Sequence, residues 1–70
     1  MKNLVLKAAR VKSGVSPYDV ARQAYVFYTA YNTYESGRSI PSVDTAIRIA
    51  DAIGVDDLRE IFGESANEME

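Results

Sequence analysis

The 70-residue chain contains no cysteine, no histidine and no tryptophan. Without cysteine no disulfide can staple a domain of this size, and without cysteine or histidine the usual ligands of a zinc site are missing. The same absences remove the thiol from nucleophilic catalysis and the imidazole from acid–base catalysis. Carboxylates, lysines and tyrosines remain, and no nucleophile–base pair stands out among them. The expectation is a non-enzymatic protein with no cofactor and no metal. No apolar run approaches the about 20 residues of a membrane span, and Met1-Lys2 leads into no signal-peptide core. A cytoplasmic protein is expected, and the missing thiols fit a reducing compartment.

Glycine and proline are scarce, at four and two residues, and they punctuate the chain. No alternating strand pattern, internal repeat or glycine-rich phosphate loop occurs. Seventy residues suffice for one domain with a modest core, which must be held by close helix packing or by dimerisation. The net charge of −2 is unevenly spread. Residues 1–42 carry six basic side chains against two acidic ones, a balance of +4, whereas residues 43–70 carry two against eight, a balance of −6. One part of such a molecule can be drawn to phosphate while another is repelled.

Helix starts and stops are legible. An apolar set at Leu4, Val5, Ala8 and Val11 predicts a first helix over Asn3 to Ser13, closed by Gly14. Ser16-Pro17-Tyr18-Asp19 reads as a second start, with serine at the cap, proline at the first helical position and an acid placed to return the cap's bond. Ser42, preceded by Pro41, opens a helix with a stripe of Val43, Ala46, Ile47, Ala50 and Ile53, stopped by Gly54. Asp56 is placed to cap a last short helix through Leu58, Ile61 and Phe62, ended by Gly63. Residues 64–70 are polar and acidic and read as a disordered tail to a domain of residues 1–63.

Tyr18 to Ser36 contains neither glycine nor proline and could form one long helix with a stripe of Val20, Ala24, Phe27, Tyr31 and Tyr34. However, Tyr25, Tyr28, Tyr31 and Tyr34 recur every third residue. At about 100° per residue their rings would then spread over half the helix circumference, too wide for one buried face. A turn near Tyr25-Val26 lets two short helices each bury a side.

From Leu6 to Phe62 the chain resembles the Cro/repressor (XRE-type) helix-turn-helix family of phage and bacterial regulators. The likeness rests on Arg10, Ser16 to Asp19, Val20-Ala21, Val26, Glu35-x-Gly37, Pro41-Ser42, Ile49-Ala50-Asp51-Ala52-Ile53-Gly54-Val55, and Leu58 with Ile61-Phe62, in that order and spacing. The resemblance implies an all-α, compact five-helix lambda-repressor-like domain, with the helix-turn-helix at helices 2–3 and the third helix, about 27–35, in the DNA major groove. It implies that Val26, Tyr31 and Tyr34 anchor that helix while Tyr28, Thr29, Asn32 and Thr33 meet bases. Asn32 suits adenine, and the threonine methyls suit thymine. It further implies phosphate contacts from Ser16, Arg38, Ser39 and Ser42, supplemented by helix N-terminal N–H groups. Ser16 and Ser42 serve equally as caps, and Arg38 equally as a solvated charge. Arg10 and Glu35 match a structural pair tying the first helix to the end of the third.

Three positions depart from the family pattern. Tyr25 stands where glycine makes the turn, Phe27 stands where serine or threonine caps the third helix, and that helix carries no lysine or arginine. With Thr29 as the cap, the helix would start later. The expected function is sequence-specific binding to a double-stranded DNA operator as a Cro-like homodimer, with Leu58, Ile61 and Phe62 either at the dimer interface or in the core. Control would then come from protein level, oligomerisation or a partner. The alternative is a non-enzymatic modulator that docks on another regulator protein through its tyrosine-rich helix.

Overall fold

The computed structural model describes residues 3–63, and the expected tail, residues 64–70, lies outside them. Five helices follow one another: α1 (Leu4–Ser13), α2 (Pro17–Gln23), α3 (Tyr28–Glu35), α4 (Val43–Ile53) and α5 (Arg59–Phe62). No strand occurs among the described residues. The all-α, five-helix expectation holds, and the long stretch from Tyr18 to Ser36 is broken where two faces needed separate burial.

Capping explains most boundaries. The Ser16 hydroxyl accepts the Asp19 N–H at 3.1 Å with Pro17 in the first turn, and the Ser42 hydroxyl accepts the Thr45 N–H at 3.3 Å. Asp19 departs from the expected reciprocal bond and pairs with Arg22 at 2.9 Å. Gly14 and Gly54 close α1 and α4 in the left-handed region, at φ of 78° and 75°, which glycine adopts without Cβ strain. Asp57, not the expected Asp56, serves the start of α5, accepting the Arg59 N–H at 3.0 Å. The same carboxylate takes the Arg59 guanidinium at 3.0 Å, and these bonds hold its pKa below the ordinary value.

The core is assembled from Leu6 of α1, Val20 and Ala21 of α2, Ala24 just beyond it, Tyr31 of α3, Ala46, Ile49, Ala50 and Ile53 of α4, and Ile61 and Phe62 of α5. Its alanines let α2 and α4 approach closely, and α3 packs on α2. Two expected faces are corrected. Leu4, Val5, Ala8 and Val11 of α1 are exposed, and α1 turns Leu6, Ala9 and Arg10 inward instead. Both sets have helical spacing. The difference is set by an arginine that a hydrophobic pattern counts as polar but that meets a partner on α3. In α4, Ile47 is exposed and Val43 half-buried, while Ile49, outside the expected stripe, is fully buried.

Ion pairing and hydrogen bonds close the bundle at one corner. Arg10 Nε donates to Glu35 Oε2 at 2.6 Å, and Arg10 Nη1 donates to the Val15 carbonyl at 3.0 Å. Both charged side chains are largely buried, and the bond to Glu35 raises the Arg10 pKa further. Asn3 accepts the Leu6 N–H through Oδ1 at 2.9 Å, donates through Nδ2 to the Ile61 carbonyl at 2.6 Å, and donates its backbone N–H to the Glu35 carbonyl at 2.9 Å. One residue thus starts α1 and joins it to α3 and α5.

Candidate functional site

The connection from α2 to α3 is tight. Tyr25 N–H donates to the Arg22 carbonyl at 3.2 Å and Val26 N–H to the Ala21 carbonyl at 3.0 Å. Closing this turn places Tyr25 at φ 59°, the one positive φ among the described non-glycine residues. A left-handed conformation costs an L-residue with a side chain about 1–2 kcal/mol. The chain then extends through Phe27 (φ −66°, ψ 147°), which occupies the N-cap of α3 without a side-chain hydrogen bond. Thr29 therefore lies inside the helix and does not start it. Val26 and Tyr34 are half-buried against the core, and Tyr31 is fully buried. Tyr34 meets the Tyr31 ring edge-on, with centroids 6.4 Å apart. These are the three anchors the resemblance implied.

With Tyr31 inside, the opposite side of α3 faces out. Thr29 and Asn32 are exposed and Tyr28 and Thr33 half-buried. Thr29, Asn32 and Thr33 line one concavity together with Ser36 and Arg38. Three expected base contacts are thus brought beside one expected phosphate contact, and Ser36 joins a group to which the sequence had not assigned it. Asn32 makes no side-chain hydrogen bond within the described residues, leaving its amide edge open.

Thr33 is partly committed internally. Its hydroxyl donates to the Ala30 carbonyl at 2.6 Å and lies 2.5 Å from Ser39 Oγ. With the single Thr33 hydrogen directed at Ala30, the Ser39 hydroxyl is the donor in the second contact. The Thr33 carbonyl accepts the Arg38 N–H at 2.9 Å and the Ser39 N–H at 3.3 Å. This knot fixes the loop that carries Arg38, whose side chain is exposed. What Thr33 still offers outward is chiefly its methyl group.

Tyr28 stands apart from the concavity. Its ring stacks on Tyr18 of α2, with centroids 4.0 Å apart and planes 10° from parallel. Tyr18 was not among the expected site residues. It is ten positions away in sequence, and only the turn brings the rings together. Ser16 and Ser42 are exposed caps at the starts of α2 and α4.

Two other positions carry information. Arg48 of α4 donates Nε to the Ala24 carbonyl at 2.8 Å and Nη2 to Thr45 Oγ1 at 3.2 Å, and its guanidinium carbon lies 5.9 Å from the Tyr25 ring centroid. Arg48 thereby caps the end of α2 and holds Tyr25 through a cation–π contact. Tyr31 is buried with its hydroxyl unbonded, and burial, aided by the nearby Glu35 carboxylate, pushes its pKa well above the ordinary value.

Ile61 and Phe62 are core residues of the single chain and Leu58 is half-buried against them, so the apolar side of α5 is already covered. Among the described residues, no group of carboxylates could hold a metal ion and no helix is long and apolar enough to cross a membrane. A family model described as helix-turn-helix matches residues 6–58. Neither the curated proteins nor the solved structures yield a significant match.

Proposed function

The chain belongs to the Cro/repressor (XRE-type) helix-turn-helix family, and from this membership we propose that it is a transcriptional regulator reading a specific double-stranded DNA operator as a homodimer. In this reading α3 enters the major groove. Tyr28, Thr29, Asn32 and Thr33 meet base edges, and Ser16, Arg38, Ser39 and Ser42 meet phosphates. The observation that carries it is the outward face of α3, where the unbonded Asn32 amide shares one concavity with Arg38. Bidentate amide recognition of adenine supplies sequence preference, and the guanidinium supplies affinity that falls with salt.

One domain reads about half an operator, so a two-fold pair on half-sites roughly one helical turn apart completes the site. The burial of Ile61 and Phe62 argues that such a pair would meet elsewhere than through their side chains. The α3 helix, which bears tyrosines and no lysine or arginine, also favours a second reading, in which the helix docks on another regulator protein.

Fluorescence anisotropy of the purified protein with its own upstream region, against scrambled DNA at two salt concentrations, tests the proposal. Specific binding that weakens steeply with salt is expected. A folded protein that binds neither duplex at low salt would overturn it and favour the protein-docking reading.

A further inference from the structure

Departures from favourable local chemistry converge on the turn before α3. Tyr25 holds a left-handed conformation that glycine would adopt without strain, and Phe27 fills the N-cap without a capping bond. Both large rings lie in solvent, with 84% of Tyr25 and 85% of Phe27 exposed. Neither ring contributes to the core. A glycine and a serine here would remove the strain, the uncapped N–H and the exposed apolar area. Costs that gather at one place, and are offset internally only by the Arg48 contact to the Tyr25 ring, point to an external contact.

What meets Phe27 follows from its position. It immediately precedes Tyr28 at the end of α3 whose first residues reach base edges when such a helix lies in the groove. Arg48 lies over Tyr25 with no carboxylate partner among the described residues and adds a positive charge beside this turn. A phenyl ring cannot read a hydrogen-bonding edge. The apolar group in the major groove is the thymine C5-methyl. We propose that Phe27 is a fifth base-reading residue, whose ring takes the methyl of a thymine beside the base pairs met by Tyr28. This rests on the DNA-binding reading and adds to it a residue and a chemical preference.

The test uses duplexes that the wild-type protein selects from a randomised pool, resynthesised with deoxyuridine in place of thymidine one position at a time. Each replacement deletes one methyl and leaves base pairing intact. The wild type is expected to lose about fourfold in affinity at one Phe27-dependent position, the worth of burying one methyl. Phe27→Ser should show no loss there, whereas thymines read by Thr29 or Thr33 should respond alike in both proteins. Serine supplies the missing cap, so the variant's thermal midpoint should equal or exceed that of the wild type, and unfolding cannot imitate the result. A Phe27→Ser protein with the wild-type deoxyuridine profile would overturn the inference and leave the DNA-binding reading standing. A wild type that binds its selected duplex but senses no thymine methyl would overturn it too, and would turn the exposed rings toward a protein partner. If the wild type selects no sequence at all, both readings fall together.

Discussion

In α4 local preference and tertiary packing agree. Ser42 caps it, Gly54 stops it, and Ala46, Ile49, Ala50 and Ile53 fall on one buried face. Between α2 and α3 they disagree: a tyrosine sits in the left-handed region, a phenylalanine occupies the cap, and both rings face water. The first segment supplies cohesion, and the second gives up some of it to present side chains outward. A small domain with a modest core can accept such a conflict only where the rest of the fold is consistent.

The contrast predicts different responses to substitution. Ile49→Ala, which empties a fully buried site in α4, should cost about 3 kcal/mol in urea denaturation. Retention of full stability would deny α4 its role as the cohesive segment. Asn32→Ala should leave the denaturation midpoint alone and narrow the gap between specific and random DNA by about 1–3 kcal/mol. An equal loss on both duplexes would remove Asn32 from base reading. Tyr25→Gly should reverse the usual sign of a mutation, raising stability by about 0.5–1 kcal/mol as left-handed strain is relieved against the greater entropy of glycine. A destabilised variant would mean that the Arg48 contact outweighs the strain.

The smallest effect at neutral pH belongs to Tyr31→Phe, which removes a buried hydroxyl that has no partner. Its signature lies in alkali. The folded-state pKa of Tyr31 is raised, so its contribution is complete below about pH 10, where the unfolded phenol starts to ionise, and falls as pH rises toward the folded value. Wild-type stability should therefore drop above about pH 10 by up to about 1.4 kcal/mol per pH unit more than that of the phenylalanine variant. Parallel alkaline limbs would show that water reaches the hydroxyl in the folded protein.

Features written in neighbouring residues could be read before folding. Ser16-Pro17, Ser42, Gly14 and Gly54 mark helix ends because a cap or a left-handed stop is decided within four residues. The turn at Tyr25-Val26 was legible from the width of the tyrosine pattern, and the outward set on α3 from family likeness. The apolar stripe read for α1 was wrong, because Leu6 turns inward with Arg10, whose pairing with Glu35 the family likeness had implied and the structure shows. Similarly, the Tyr18–Tyr28 stack depends on the turn, and the inward commitment of the Thr33 hydroxyl on a serine six positions away. The apolar character of Ile61 and Phe62 fitted a dimer surface as well as a core, and in the single chain both side chains are buried in the core.

Asn3 gives the molecule a mechanical property. By bonding to Ile61 and to Glu35 it closes the described chain into a loop, with α2, the strained turn and the start of α3 inside it. Tension applied at the two ends would first load this clasp, and the outward residues of α3 would feel the pull only after it opened. The segment with the most local conflict is thus sheltered from disturbances that arrive through the ends of the chain.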